Sequence, residues 1–215
     1  MQFFVENFGL FRDAFVTTLS LSVLGGLLAL VLGTLLAAFR VSPIPPLRGL
    51  ATFYVETFRN TPLTVVFFFI IFGLPQIDFV IDFFPGSVLA VGLYTAAFVC
   101  EAVRSGINAV SPGQAEAARA IGLTFGQSLR EVVLPQAFRT VVPPLGNVFI
   151  AMVKNTSIAA GFSVSELSSL LPRLVNANAG ELMLVLFGVV AGYMLITLPS
   201  ALALHRVERR VAILR

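Results

Sequence analysis

Charge is what this sequence lacks most. Only 12% of its 215 residues are Asp, Glu, Lys or Arg, while 57% are hydrophobic. A soluble domain carries about twice that share of charge, so a water-soluble globular protein is excluded and an integral membrane protein remains. Cysteine occurs once, at Cys100, which rules out an intrachain disulfide. Histidine also occurs once, at His205. Neither has the neighbours that a metal or catalytic site needs; Cys100 reads as a small packing residue and His205 as a juxtamembrane surface residue. The sequence has no Walker A segment and no nucleophile–base pair, so any chemistry linked to this chain belongs to another subunit. Tryptophan is absent although phenylalanine occurs 21 times, so an interfacial aromatic belt is supplied by tyrosine or not at all. The first dozen residues, Met1 to Arg12, have no basic n-region, and the first apolar run is too long for a signal h-region. No cleavable signal peptide is therefore expected.

What is present is a set of five hydrophobic segments, roughly Phe15–Phe39, Leu50–Leu74, Val88–Val103, Val141–Ala160 and Leu182–Leu204. Helices are the expected form, because a helix satisfies its own backbone groups in lipid. A membrane β-barrel would alternate polar and apolar residues in pieces of about ten. The run Val65-Val66-Phe67-Phe68-Phe69-Ile70-Ile71-Phe72 shows no such alternation. The fold class is an all-α membrane protein of five transmembrane helices, a single domain over 1–215 with one polar loop at about 108–139.

Charge asymmetry orients it. Arg40 and Arg48 lie in the first loop, Arg104, Arg119, Arg130 and Arg139 in or beside the third, and Arg206, Arg209, Arg210 and Arg215 after the last span. The alternate regions hold only Arg12 and Arg173, and the second loop has Asp78 and Asp82 with no basic residue. By the positive-inside rule the N-terminus is outside and the C-terminus cytoplasmic. Membrane orientation accounts for the basic excess, so no nucleic-acid partner is implied.

The longest polar interruption, Glu116-Ala117-Ala118-Arg119-Ala120-Ile121-Gly122, is thereby cytoplasmic. Ser111-Pro112-Gly113-Gln114 places a Ser N-cap before a first-turn Pro, with Gln at N3. Gly122 can end that helix in the left-handed conformation. Thr124 and Gln127 repeat the capping-box spacing for a second helix, which Pro135 is expected to end. Two short helices at the membrane surface, thinned by Ala117 and Ala118, make a docking element. Gly25, Ala29 and Gly33, and again Gly188 and Gly192, form stripes of small residues that allow close helix approach. They do not tell an intrachain contact from a contact between subunits.

Two basic residues lie inside hydrophobic spans. Arg59 is about nine residues into the second, roughly 14 Å at 1.5 Å per residue, and Lys154 is as deep in the fourth. A central Arg or Lys costs at least about 2.5–3.5 kcal/mol on insertion scales, so each should face a partner, a cavity or a ligand. The structural reading pairs Arg59 with Glu56 one turn earlier and Lys154 with Glu101. The functional reading is a cationic lining for an anionic or zwitterionic solute. Thr61-Pro62, just after Arg59, adds a helix break that frees carbonyls.

Glu116-Ala117-Ala118, Gly122 and Leu134-Pro135 match the EAA loop of the membrane subunits of bacterial ATP-binding-cassette importers. Tyr54-Val55-Glu56-Thr57-Phe58-Arg59-Asn60-Thr61-Pro62-Leu63, Gly113-Gln114-Ala115-Glu116 and Pro135-Gln136-Ala137 add to the match. With these motifs in order over more than a hundred residues, the chain resembles the polar amino acid permease branch of type I importers. Ala97-Phe98-Val99-Cys100-Glu101-Ala102 and Lys154-Asn155-Thr156-Ser157 resemble the glutamate-uptake permeases of actinobacteria. Many relatives read Lys-Asp-Thr-Ser at the latter stretch. Asn155 in place of that carboxylate leaves Lys154 and Arg59 less neutralised, which favours an acidic solute; alternatively, Asn155 packs against a neighbouring helix.

The resemblance implies a permease subunit of the bacterial cytoplasmic membrane, pairing with a second permease subunit in a hetero- or homodimer. It implies a cytoplasmic ATP-binding subunit dimer, which holds MgATP, so that this chain itself has no cofactor and no catalytic residue. Glu116, Ala117, Ala118, Arg119 and Gly122 would form the ATPase-coupling surface. Arg59, Thr61, Lys154, Asn155, Thr156 and Ser157 would line the substrate pathway. An extracytoplasmic binding protein would deliver glutamate or aspartate near the loops at 75–87 and 161–181. The alternative class is an ion-coupled secondary transporter or channel working without an ATPase, which leaves the capped polar helices unexplained.

Overall fold

The computed structural model describes residues 2–177 and 179–211, and Arg215 of the basic C-terminal cluster lies outside them. Helices of α, 3-10 and π type make up nearly all of this, with no strand among the described residues. A short helix α1 (Gln2–Glu6) leads into α2 (Phe8–Val41), whose 34 residues exceed the length of the bilayer core.

The expected second span is broken rather than continuous. Helix α3 (Pro45–Arg59) stops at Arg59, and the chain turns by 105° before Leu63–Ile77. Pro62 has no N–H to continue the helix and disfavours a helical Thr61 before it. The break frees the Thr57 carbonyl, which accepts from Thr61 Oγ1 at 2.8 Å, while the Glu56 carbonyl keeps the Asn60 N–H at 3.2 Å and also accepts from Asn60 Nδ2 at 2.7 Å. After the bend come α4 (Leu63–Phe68), a π turn at Phe69–Gly73 and a 3-10 turn at Leu74–Ile77, ended by Asp78 at φ +60°.

The third span is longer than the apolar run suggested, α5 (Phe83–Asn108). Next come α6 (Pro112–Ala120) and α7 (Phe125–Gln127). A π turn at Ser128–Val133 joins α7 without a stop to α8 (Leu134–Asn155). Pro135 therefore does not end the second polar helix. The Leu134 N–H bonds back to Leu129, an i→i−5 step, and this widened turn accommodates the proline. The chain continues through a 3-10 segment at Thr156–Phe162, a left-handed Ser163, and a short turn into α9 (Leu170–Ala177), bent by 46° from Ser128–Phe162. Helix α10 (Leu182–Val211) is the last described element. Among the described residues, three helices are continuous, long and apolar enough to cross a bilayer, or up to five spans if each bent pair counts as one.

Glycines fix how these helices meet. A Cβ at Gly33 would lie 2.6 Å from Val99 and 2.7 Å from the Ala96 carbonyl, and one at Gly25 would lie 3.2 Å from Val91. The stripe on α2 is therefore an intrachain seam, and α2 runs parallel to α5. Gly188 and Gly192 of α10 receive Phe11 and Leu167, so the second stripe is intrachain as well. Gly106 lies against Val141, and Thr140 Oγ1 donates to the Gly106 carbonyl at 2.9 Å, which sets α8 antiparallel to α5. As a result Arg40, Arg104, α6 and the last described turns of the chain, with Arg206 and Arg209, share one end of the bundle.

Candidate functional site

A cavity of about 330 Å³ opens between α5 and α8, within the usual range for ligand pockets. Tyr94, Thr95 and Phe98 line it from α5, with Asn147, Ala151 and Asn155 among the residues from α8. Positions 147, 151 and 155 fall on one helix face because successive fourth residues stack. Thr95 is near the middle of α5, so the cavity lies at mid-bundle. Two asparagines at that depth are costly against lipid and are expected to line a cavity.

The charges beside it are not paired as the sequence suggested. Glu101, not Glu56, meets Arg59, with Nη1 to Oε2 at 3.8 Å. Glu56 instead accepts from Asn60 Nδ2 at 3.3 Å. Glu101 does not serve Lys154; it also holds Arg104 at 2.8 Å and Arg40 at 3.3 Å. The reason is position: Arg40 ends α2, Arg59 ends α3, and the helix seams bring both to one turn of α5. Arg59 consequently sits at the bend, toward the α6-bearing end, rather than in the middle of a straight span. Its guanidinium lies 6.0 Å from the ring centre of Phe98, a wall of the cavity. Nη1 of Arg40 is buried without a hydrogen-bond partner.

Lys154 is exposed in the last turn of α8 and makes no ion pair among the described residues. It lies between Ala151 and Asn155 of the cavity wall but is not itself part of the lining. Thr61 and Thr156 are turned to structural work. Thr61 caps the Thr57 carbonyl, while Thr156 is fully buried with its hydroxyl on the Val153 carbonyl at 2.7 Å. Ser157 is half-buried and outside the cavity lining.

In the polar segment the second cap forms as read: the Thr124 N–H donates to Gln127 Oε1 at 2.9 Å, and the Gln127 N–H to Thr124 Oγ1 at 3.4 Å. The first differs. Ser111 makes no side-chain cap bond, and Pro112 alone starts α6. Gly122 is left-handed at φ +92° with open space around it. Glu116, Ala117 and Arg119 are exposed, whereas Ala118 is 4% exposed and faces inward. Ala118 holds the two helices together and offers no surface. Ile121, 81% exposed at the tip, was not singled out from the sequence.

A second residue escaped sequence reading. Glu166 is fully buried and accepts from Tyr193 Oη at 2.5 Å, the Ser168 N–H at 2.7 Å and Thr18 Oγ1 at 3.3 Å. It ties α2 and α10 to the turn after the fourth span. Its partners are 148 and 27 residues away, a separation that no local pattern reveals.

Residues 29–213 match the family described as the binding-protein-dependent transport system inner membrane component. The chain belongs to that family. Among the relatives of this inner membrane component is the glutamate transport system permease protein GluC of Corynebacterium glutamicum, 43% identical over 213 residues and covering 93% of each chain. The probable glutamine ABC transporter permease protein GlnM of Bacillus subtilis is 38% identical, covering 96% of this chain and 95% of its own. Among solved structures, the crystal structure of an amino acid ABC transporter with histidines superposes with a TM-score of 0.89 at 33% identity, covering 96% of each chain.

Proposed function

We propose that this chain is the permease subunit of an ATP-driven importer carrying a polar amino acid, glutamate or aspartate, into the cell. The observation that carries the reading is the mid-bundle cavity with asparagines on its wall and the Arg59 guanidinium beside its Phe98. Such a lining suits a small solute with carboxylates and a polar backbone. The glutamate-transport name of one relative agrees with it, and the glutamine-transport name of another agrees with a polar amino acid more broadly.

On this reading 1–215 is one domain of five spans in the bacterial cytoplasmic membrane, with the N-terminus outside and the α6 end in the cytoplasm. Exposed Glu116, Ala117 and Arg119, with the left-handed Gly122, seat in an ATP-binding subunit that holds MgATP. Ala118 supports them from beneath. A second permease subunit completes the pathway, and a binding protein delivers the amino acid at the opposite end. Rigid-body rocking then alternates access to the cavity. Reconstitution with the ATPase subunit and candidate binding proteins tests this: L-glutamate or L-aspartate should stimulate ATP hydrolysis and uptake. Uptake that persists without the ATPase would overturn the mechanism, and stimulation only by neutral or basic amino acids would overturn the cargo.

A further inference from the structure

Glu101 gathers more positive charge than it can balance. Arg104 at 2.8 Å, Arg40 at 3.3 Å and Arg59 at 3.8 Å share this one carboxylate, leaving an excess of two formal positive charges. Arg40 Nη1 is in addition buried and unpartnered. What the cluster lacks is a second anion. Arg59 is the member placed to take it. Its contact is the longest, and its side chain is 43% exposed against 33% for Arg104 and 15% for Arg40. It also stands beside the helix break at Pro62 and against Phe98 of the cavity.

We propose that Glu101 sets the affinity for acidic substrates by competing with the substrate's side-chain carboxylate for Arg59. The proposal rests on the reading of Arg59 as a substrate contact. When an acidic ligand occupies the cavity, Arg59 leaves Glu101 for it. Glu101, still held by Arg104 and Arg40, takes Arg59 back as the ligand departs. Glu101 does not touch the ligand and is a positioning residue. Without this competitor the site binds an acidic ligand more tightly and releases it more slowly. A neutral ligand with no side-chain carboxylate does not feel the change.

The test is equilibrium binding of radiolabelled L-glutamate and L-glutamine to the permease–ATPase complex without binding protein, together with uptake rates in the full system. Glu101→Gln should tighten L-glutamate binding by about two- to fivefold, the factor carried by a partly exposed ion pair at 3.8 Å, leave L-glutamine binding unchanged, and slow L-glutamate uptake. Glu101→Asp keeps the charge for Arg104 but shortens the reach, so it releases the longest contact first; it should tighten L-glutamate binding by a similar or smaller factor and decides the matter where the Gln variant does not assemble. A lesion that merely damages structure would weaken binding of both amino acids. If Arg59→Gln leaves L-glutamate binding unchanged, the underlying reading of Arg59 fails. If Arg59→Gln weakens it while neither Glu101 variant tightens it, the competition proposed here is overturned and the substrate role of Arg59 survives.

Discussion

Replacement of Glu166 separates its shape from its charge. Of its three donors, the Ser168 N–H can only donate, whereas the hydroxyls of Tyr193 and Thr18 can donate or accept. In Glu166→Gln the amide oxygen can face Ser168 and the amide nitrogen the two hydroxyls. Tyr193 then turns its proton to Ser168 Oγ, 3.1 Å away, and Thr18 keeps its bond to the Ala14 carbonyl at 3.0 Å. Every buried polar group still has a partner, so the cost should stay near or below about 1 kcal/mol. Glu166→Leu keeps the volume but strands the Ser168 N–H, while the two hydroxyls keep only their bonds to Ser168 Oγ and the Ala14 carbonyl. That should cost about 1–3 kcal/mol, the range for leaving one buried donor without a partner. Unfolding in mixed micelles by increasing dodecyl sulfate, followed by far-ultraviolet circular dichroism, measures both. A Gln variant as unstable as the Leu variant would show that charge, not hydrogen-bond closure, holds the site. A neutral Leu variant would refute the network altogether.

The same assay reports on the α2–α5 seam. Gly33→Ala drives a Cβ to 2.7 Å from a backbone carbonyl and should cost about 1–3 kcal/mol, whereas Gly49→Ala, with nothing within 4 Å, should stabilise by up to about 1 kcal/mol. Gly122→Val forces a β-branched residue to φ +92° at about 1–3 kcal/mol of local strain; membrane levels should hold while uptake is lost, and Gly122→Asn should keep much of it, whereas unchanged uptake in the Val variant counts against docking. A cysteine at exposed Ala117 should react with a membrane-impermeant maleimide in inverted vesicles and not in intact cells, and labelling from outside would reverse the orientation. Lys154→Met removes an intramembrane cation costing at least about 2.5–3.5 kcal/mol; the variant should be no less stable yet lose L-glutamate uptake, and normal uptake would return Lys154 to a structural role.

What the sequence made legible is what a few consecutive residues decide. The Thr124–Gln127 cap, the left-handed Gly122 and the break at Thr61-Pro62 are closed within four residues, and each forms. Pro135 misled because its effect depends on the turn before it, and a π turn lets the helix run on into α8. Ser111 misled in the other direction: the spacing was present, but Pro112 starts the helix without help from the hydroxyl. The small-residue stripes were visible, while their partners were decided only by how α2 and α10 pack.

Charge pairing shows the limit most clearly. Glu56 and Arg59 are three residues apart and can face each other on a helix, yet that helix ends at Arg59, where the chain turns away by 105°. The bend spends Glu56 on Asn60 and carries Arg59 to Glu101, where two other guanidiniums already converge. A local pair would have left Arg59 neutral and Glu101 free for Lys154. The packed helices do the opposite, concentrating cations beside Phe98 of the cavity wall and leaving Lys154 without an ion pair among the described residues. The excess of positive charge around Glu101 is therefore a property of how α2, α3 and α5 meet, which no pattern within any one of these segments could reveal.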